Sequence, residues 1–410
     1  MIAKLKETYP ALTHRNFRYF WFGQCISLIG TWMQSTAQQW LVYSLTKSAL
    51  LLGLLGAAQF GPVMFLSLFA GVFIDRYPKK RLIIFTQITL MIQAFVLALL
   101  VWSGHVTYWH VLILAVFLGL INTLDTPTRQ SFMPELVAKK DLRSAIGLNS
   151  AIFNVARMIG PALSAVLMAK YGTGLLFFFN GISFIPVIIG LYLIKTNPAE
   201  NKTVRKKVLV EIFEGLKYIR QSPPLRSTVL SMLAVGTFVM NFNVIIPLYA
   251  AEVLKQGVNG YAFLLSATGA GSLVGALMVA SWAKGNPKLR LLFGSGFIVS
   301  TLLMVLEPIH ILPLAAATFA IIGFFTIMFA TTANSTMQIN SSEQFRGRVM
   351  SVYSFAFLGT TPIGNLFAGS IIQKLGVGMG ILICGAVSGL LIVLIVINTM
   401  MKKHAPLPNV

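Results

Sequence analysis

Apolar segments recur along the whole chain, and they constrain its fold more than any other feature. Each is close to the ~20 residues that an α-helix needs to cross a hydrocarbon layer about 30 Å thick. Of the 410 residues, 56% are hydrophobic and 10% are charged, whereas about a quarter of the residues in a soluble protein are charged. The segments lack the alternation that a membrane β-barrel requires. The sequence therefore predicts an all-α membrane protein that crosses the bilayer many times.

Twelve such segments fit the chain, six in each half, and we number them as spans 1 to 12. They are expected near residues 17–44, 49–74, 82–103, 107–125, 145–169, 173–194, 226–253, 260–283, 289–306, 310–333, 348–373 and 377–400. This arrangement predicts a first six-helix bundle at 1–194 and a second at 226–410, with a charged cytoplasmic connector at 195–225 between them.

The cations are distributed unevenly between the loops. Of the 32 Lys and Arg residues, 27 fall on one side of the predicted membrane, and Arg157 falls within a span. The other four lie on the opposite side: Lys47, Lys170, Lys255 and Lys374. Because positive loops stay in the cytoplasm, this bias predicts that both termini are cytoplasmic. The loops also account for the net charge of +21, so we expect no nucleic-acid partner.

The two halves repeat weakly in sequence. Three features recur in the same order: Pro78–Arg81 after span 2 and Pro287–Arg290 after span 8, Leu142-Arg143 before span 5 and Phe345-Arg346 before span 11, and Pro161 in span 5 and Pro362 in span 11. Duplicated bundles commonly hold a binding site near the middle of the membrane. This repeat favours a rocking carrier over a pore with a permanent polar lining.

The connector contains the stretch "KKVLVEIFEGLKYIRQ", which has a helical apolar face flanked by cations. That face comprises Val208, Leu209, Ile212, Phe213, Leu216 and Ile219. The pattern predicts an amphipathic helix lying flat on the cytoplasmic surface of the membrane. The alternative interpretation is a solvated, charged linker.

Span 5 contains an arginine near the middle of the predicted membrane. Arg157 lies roughly 18 Å along the helix from the start of the span. Placing a charge there costs about 2.5–3.5 kcal/mol on insertion scales, so we expect the side chain to avoid lipid. Arg157 lies on the same face of this helix, within an arc of about 80°, as Ser150, Asn154, Pro161 and Ser164. That face should line water or contact a neighbouring helix.

Span 1 carries a similar polar stripe within an arc of about 100°. Its members are Gln24, Ser27, Thr31, Gln34, Ser35 and Gln38. Two polar stripes predict a hydrated cavity in which Gln34, Gln38, Asn154 and Arg157 face a transported molecule. For Arg157 the options are an anionic or carbonyl-rich cargo, a mobile proton site, or a structural contact with neighbouring carbonyl groups.

The stretch "GVFIDRYPKKR" begins with Gly71 at the predicted cytoplasmic end of span 2. It resembles the loop between spans 2 and 3 of the major facilitator superfamily, in which an Asp-Arg pair precedes further cations. The sequence departs from that pattern at Pro78 and Lys79. The resemblance implies the major facilitator fold, with two pseudo-symmetric six-helix bundles.

In that superfamily this loop helps to keep the cytoplasmic side closed. The resemblance implies that Gly71, Asp75 and Arg76 belong to a cytoplasmic gate. Asp75 can dock on a helix N-terminus of the other half. Arg76 can pair with Asp125 at the cytoplasmic end of span 4. The alternative is a loop whose cations only fix the topology.

Three longer stretches narrow the resemblance. They are "GTWMQSTAQQWLVYSLTKSA", "DTPTRQSFMPELVAKKDLRSAIGLNSAIFNVARMIGP" and "FRGRVMSVYSFAFLGTTPIGNLFAG". They are similar to the branch that contains the enterobactin exporter and macrolide-efflux-type proteins. Gly160-Pro161 in span 5 also resembles a Gly-Pro motif of drug/proton antiporters, where it is associated with export. Small residues permit close helix packing and proline kinks a helix, so an architectural role is the alternative.

These resemblances imply a secondary transporter that exports a small amphipathic or polar organic molecule, such as a drug or siderophore. They imply proton antiport across a bacterial-type inner membrane. A solute importer on the same scaffold and a lipid-flipping carrier are the alternatives. We expect a monomer in contact with lipid, without enzymatic activity, cofactor or metal. No Asp or Glu lies at the middle of a predicted span, so the proton site is open, and Asp125 is the best acid by position.

Overall fold

The computed structural model describes residues 9–74, 77–195, 208–282 and 289–404, and these residues are almost entirely helical. The first half contains α1 Arg15–Thr46, α2 Ala49–Ile74, α3 Lys79–Trp102, α4 Tyr108–Leu136 and α5 Leu142–Leu193. The second half contains α6 Val208–Gln221, α7 Pro223–Phe238, α8 Phe242–Leu248, α9 Gly257–Trp282, α10 Leu289–Val305, α11 Leu312–Ile339, α12 Glu343–Leu358, α13 Thr361–Leu375 and α14 Val377–His404. Each of the twelve predicted spans lies on one or two of these helices.

Five spans differ in detail from their predicted form. α4 runs to Leu136, whereas span 4 was expected to end near residue 125, because its last turns carry polar residues that resemble a loop. Span 7 is interrupted between α7 and α8, and span 11 between α12 and α13. Spans 5 and 6 form the two arms of α5, which meet at Gly172 with φ 74° and ψ −178°. That backbone conformation is essentially restricted to glycine.

The hydropathy of the helices supports a membrane protein. Within the parts of the chain that the structure describes, nine helical stretches are long and apolar enough to cross a membrane, and α10 is a shorter apolar helix. Neither α1 nor the first arm of α5 is among the nine. These two elements carry the predicted polar stripes, which lower their mean hydropathy. The predicted all-α, multi-pass membrane fold is confirmed.

Contacts between Cα atoms divide the chain into two compact units. The first unit comprises residues 1–47 and 58–203. Within it, α1 packs against both arms of α5. Gly23 lies directly against the backbone of Val187, and Gly30 lies against Ser183. The absence of side chains at these glycines allows the helices to approach closely.

The second unit comprises residues 48–57 and 204–410. Its tightest helix pair is α9 with α11, where Gly271 lies against the carbonyl group of Ala320 and Gly323 against that of Thr268. The first turns of α2 pack on α13 in the same unit. There the Ser48 hydroxyl donates a hydrogen bond of 2.9 Å to Gln373 Oε1.

The connector contains the predicted helix, α6 Val208–Gln221, and this helix docks on α12. The rings of Tyr218 and Phe345 stack with centroids 4.6 Å apart. Glu214 pairs with Arg348, and Ile219 is 4% exposed.

The expected single apolar face of α6 is divided. Ile219 is buried on the second unit, whereas Phe213 and Leu216 are 70% and 45% exposed. Docking on α12 causes this division, because it selects the side of the helix that carries Tyr218 and Ile219. The side chains of Val208, Leu209 and Ile212 lie outside the described residues.

Candidate functional site

A polar cavity of about 60 Å³ lies within the first unit. All of its lining residues come from α1 to α5: Thr31, Gln34, Ser35, Gln38, Gln59, Leu90, Gln93, Leu118, Asn122, Arg129, Asn180 and Phe184. The lining is rich in side-chain amides, although the surrounding helices are apolar.

A chain of hydrogen bonds connects three helices beside this cavity. Ser183 Oγ donates to Asn180 Oδ1 over 3.2 Å, and Asn180 Nδ2 donates to Gln34 Oε1 over 2.8 Å. Gln34 Nε2 then donates to Gln93 Oε1 over 3.0 Å. The chain therefore ties α1 to α3 and to the second arm of α5. Buried amide networks of this kind fix the relative positions of helices in an apolar environment.

Two buried amide groups of the lining are not satisfied. Gln38 and Gln93 are each 2% exposed, and the Nε2 atom of each has no hydrogen-bond partner among the described residues. Leaving a buried donor unpaired costs about 1–3 kcal/mol. A molecule that enters the cavity can remove this cost by accepting hydrogen bonds.

Asp125 lies at the centre of a second polar cluster in the same unit. Its side chain is fully buried. Its Oδ1 atom accepts hydrogen bonds of 2.6 Å from Thr86 Oγ1 and 2.8 Å from Gln87 Nε2. Arg129, one helical turn further along α4, pairs with the carboxylate and donates a second hydrogen bond to Gln24 Oε1. Since Arg129 also lines the cavity, it connects the two polar clusters.

The other residues of the expected cytoplasmic gate are only partly described. Asp75 and Arg76 lie outside the described residues. Gly71 lies in the last turns of α2. The partners that the structure gives to Asp125 are Thr86, Gln87 and Arg129, so its predicted pairing with Arg76 stays a prediction.

Asn154 and Arg157 lie together but not in the cavity. Arg157 Nη2 donates to Asn154 Oδ1 over 3.2 Å, and Asn154 Nδ2 donates to the carbonyl oxygen of Ser150 over 2.8 Å. Arg157 Nε is buried without a hydrogen-bond partner in the described part of the chain. None of the described carboxylates lies within ion-pairing distance of this guanidinium. Gln34 and Gln38 therefore line the cavity, whereas Asn154 and Arg157 contact each other at a different place.

Gly160 and Pro161 lie where the first arm of α5 meets α1. A Cβ atom added to Gly160 would come within 2.6 Å of Trp32 Cβ. One turn later, Ser164 Oγ donates to the carbonyl oxygen of Met33 over 3.3 Å. The helical backbone continues through Pro161, and the non-helical residue within α5 is Gly172. The pair thus forms a close helix contact.

Sequence reasoning missed several lining residues, above all Gln93, Asn180 and Arg129. Gln93 and Asn180 lie in strongly apolar spans for which no polar stripe was predicted. Arg129 was assigned to a loop because span 4 was expected to end near residue 125. A helix continued to Leu136 would have placed Arg129 one turn from Asp125.

The family of the chain follows from comparison with known proteins. Residues 6–407 match the transmembrane secretion effector family of the major facilitator superfamily. The chain belongs to this family, and the predicted membership of the superfamily is confirmed. It is a multi-pass membrane transporter for small molecules, and the predicted class of exporter is confirmed.

The individual relatives are distant but match over most of their length. The staphyloferrin A transporter of Staphylococcus aureus is 25% identical, covering 85% of this chain and 87% of its own. Macrolide efflux protein A of Streptococcus pyogenes is 23% identical, covering 90% and 92%. A crystal structure of a mutant of the nucleoside transporter NupG matches with a TM-score of 0.76 at 10% identity, covering 93% of this chain and 98% of that one. The structural match confirms the major facilitator fold.

Proposed function

We propose that this exporter carries a small amphipathic or polar organic molecule, such as a drug or siderophore, out of the cytoplasm in exchange for protons. The names of the relatives support this range of cargo, since one transports staphyloferrin A and another exports macrolides. The proposed location is a bacterial-type inner membrane, with both termini cytoplasmic. The protein acts as a lipid-embedded monomer with no enzymatic activity.

The main structural support for this proposal is the cavity in the first unit. A hydrogen-bonded chain through Asn180 and Gln34 holds Gln93 in place. The Nε2 atoms of Gln93 and of Gln38 have no hydrogen-bond partner among the described residues, so both are available to a ligand. Gln34 and Gln38 contact the cargo here. The volume of about 60 Å³ admits one end group of such a molecule.

The other predicted site residues have roles outside this cavity. Asn154 and Arg157 form a second polar contact for the cargo. Gly71, Asp75, Arg76 and Asp125 form the cytoplasmic gate, and Gly160 with Pro161 sets the packing of α5 on α1. The proposed bundles are 1–194 and 226–410, and the connector at 195–225 joins them.

Transport by the purified protein tests the proposal. In proteoliposomes with an imposed pH gradient, we expect accumulation of at least one member of a panel that includes a macrolide and staphyloferrin A. Uptake by everted vesicles, together with reduced accumulation in whole cells, would establish export. Gln34→Leu should abolish transport, because it breaks the amide chain at its centre, whereas Gln130→Leu on the exposed side of α4 should not. Equal transport by the two variants would show that the cavity is not needed for transport.

A further inference from the structure

The unsatisfied buried polar atoms of the described cavity lining are hydrogen-bond donors. The amide oxygens of Gln34 and Gln93 already accept hydrogen bonds from Asn180 and from Gln34. Among the described residues, the buried lining atoms without a hydrogen-bond partner are Gln38 Nε2 and Gln93 Nε2, and both are N–H donors. A ligand satisfies these two donors by supplying acceptor oxygens.

The charge of the lining points in the same direction. Arg129 is the charged residue among the described lining residues, and none of them is acidic. The nearest carboxylate in its hydrogen-bonded surroundings is Asp125, which is buried outside the lining and held by Thr86, Gln87 and Arg129. The charge of Arg129 is already paired with Asp125, so the match to an oxyanion rests on the two free amide donors and on the absence of an acidic side chain among the described lining residues.

We propose that the cavity binds a carboxylate group of the cargo, so that the exporter selects oxyanion-bearing molecules over cations. This proposal rests on the proposed function, because it assigns a chemical class to the cargo that Gln34 and Gln38 contact. The cavity volume of about 60 Å³ accommodates a carboxylate and the carbon atom next to it. The rest of the molecule lies outside this cavity.

A binding measurement tests the proposal without requiring transport. The purified wild-type protein in lipid nanodiscs is titrated with acetate, with acetamide as the neutral analogue of the same shape, at constant ionic strength set with sodium chloride. At ten times its dissociation constant, acetate should raise the midpoint of thermal unfolding by ~2 °C. Acetamide should give no rise. Equal responses to the two compounds would overturn the proposal.

Two substitutions locate the response. Gln93→Glu retains the oxygen that accepts from Gln34 and replaces the free donor by a negative oxygen, so the acetate response should disappear. Gln38→Met removes the other free donor without adding charge, and it should weaken acetate binding about 10-fold, as expected for loss of a hydrogen bond to a charged group. Gln130→Glu introduces the same charge on the exposed side of α4 and serves as the matched control. An acetate response that survives in Gln93→Glu would place the anion elsewhere and refute the assignment.

Transport assays then separate this proposal from the proposed function. Rhodamine 110 carries a free carboxylate, and rhodamine 123 is its methyl ester. Preference for rhodamine 110 in the wild type, lost or reversed in Gln93→Glu, supports the carboxylate site. Transport with equal rates for the two dyes would refute the carboxylate selectivity while upholding the exporter. Acetate binding without transport of any panel member would support the site and contradict the proposed cargo range.

Discussion

The charge of Asp125 is compensated within the first unit by a partner one helical turn away. Arg129 pairs with the carboxylate, and its side chain is 22% exposed. Removing one member of a buried ion pair leaves the other uncompensated, which costs about 3–5 kcal/mol. Thr86 and Gln87 complete the surroundings of the carboxylate. The pair is therefore a structural unit whatever further role Asp125 has at the gate.

A double-mutant cycle measures this pairing. Asp125→Asn and Arg129→Gln should each lower the free energy of unfolding by about 3 kcal/mol, near the lower end of that range because Arg129 is partly exposed. The double variant should lose clearly less than the sum, since neither charge then remains alone. Unfolding of the purified protein in detergent, followed by circular dichroism, gives the three values. Strictly additive losses would show that the two residues do not interact.

Arg157 differs from Arg129 because its described partner is the neutral Asn154. A guanidinium in a membrane helix without a carboxylate partner is costly, and such residues are usually functional. Arg157→Leu should abolish transport in proteoliposomes while expression and thermal stability stay near normal. Lys170→Leu, near the end of the same arm of α5, is the control and should transport normally. Wild-type transport by Arg157→Leu would remove this residue from the mechanism.

At the residue scale, the sequence predicted those polar residues that form stripes. Gln34 and Gln38 were found because they repeat on one face of span 1, and both line the cavity. Gln93 and Asn180 carry no such pattern. Their importance comes from the packing of α3 and α5 against α1, which periodicity within a single helix does not encode.

At the scale of helices, the ends of several elements repeat between the halves. The two non-glycine residues with positive φ in the described chain are Lys47 at 50° and Lys255 at 53°. Gly172 and Gly376 have φ values of 74° and 83°, and each follows a lysine by two residues. The four lysines predicted on the outer side thus lie at helix ends, Lys255 just after the π-helical turn Tyr249–Val253 that continues α8. A cation at the C-terminal end of a helix interacts favourably with the helix dipole. The weak repeat of the two halves in sequence therefore also appears in the backbone conformation at these positions.

Two glycines of α5 provide a matched test of helix packing. Gly160→Ala should destabilise the protein by about 1–3 kcal/mol, because the new methyl group meets Trp32 and overpacks the contact. Gly147→Ala, which has open space around it, should stabilise the helix by up to about 1 kcal/mol. The midpoints of thermal unfolding give the comparison. Stabilisation of similar size at both positions would mean that α5 does not contact α1 at Gly160.

The boundaries of the helices were predictable to different degrees. Long apolar runs located the spans, since burial in lipid requires them. The far end of α4 was missed because its last turns are polar and still helical. The two sides of α6 could not be assigned, because the helix is amphipathic by sequence and only its docking on α12 decides which side is buried.

At the scale of the whole molecule, the fold depends on pattern more than on residue identity. The match to NupG has a TM-score of 0.76 at 10% identity. The two chains therefore share the fold although nearly all of their residues differ. The pattern of apolar spans determines which helices form, whereas the specific polar residues within them determine the cargo. The sequence therefore predicted the fold in greater detail than the site.

The proposed exchange for protons is a property of the whole transporter, and it requires an acid that titrates during the cycle. The buried carboxylates in the described chain are Asp125 and Asp141. Asp125 pairs with Arg129, which also lines the cavity, whereas Asp141 pairs with His14. Inward flow of protons should drive export, so everted vesicles with an acidic interior should accumulate cargo, and an ionophore should abolish the accumulation.

Substitution of the two acids then locates the coupling. Asp125→Asn should eliminate accumulation driven by the pH gradient and retain exchange of cargo for cargo, because the neutral side chain cannot release a proton. Asp141→Asn should keep the gradient dependence. Exchange without a gradient also verifies that each variant is folded. Gradient-driven accumulation by Asp125→Asn would exclude this carboxylate as the coupling site, and accumulation by the wild type that resists the ionophore would refute proton antiport itself.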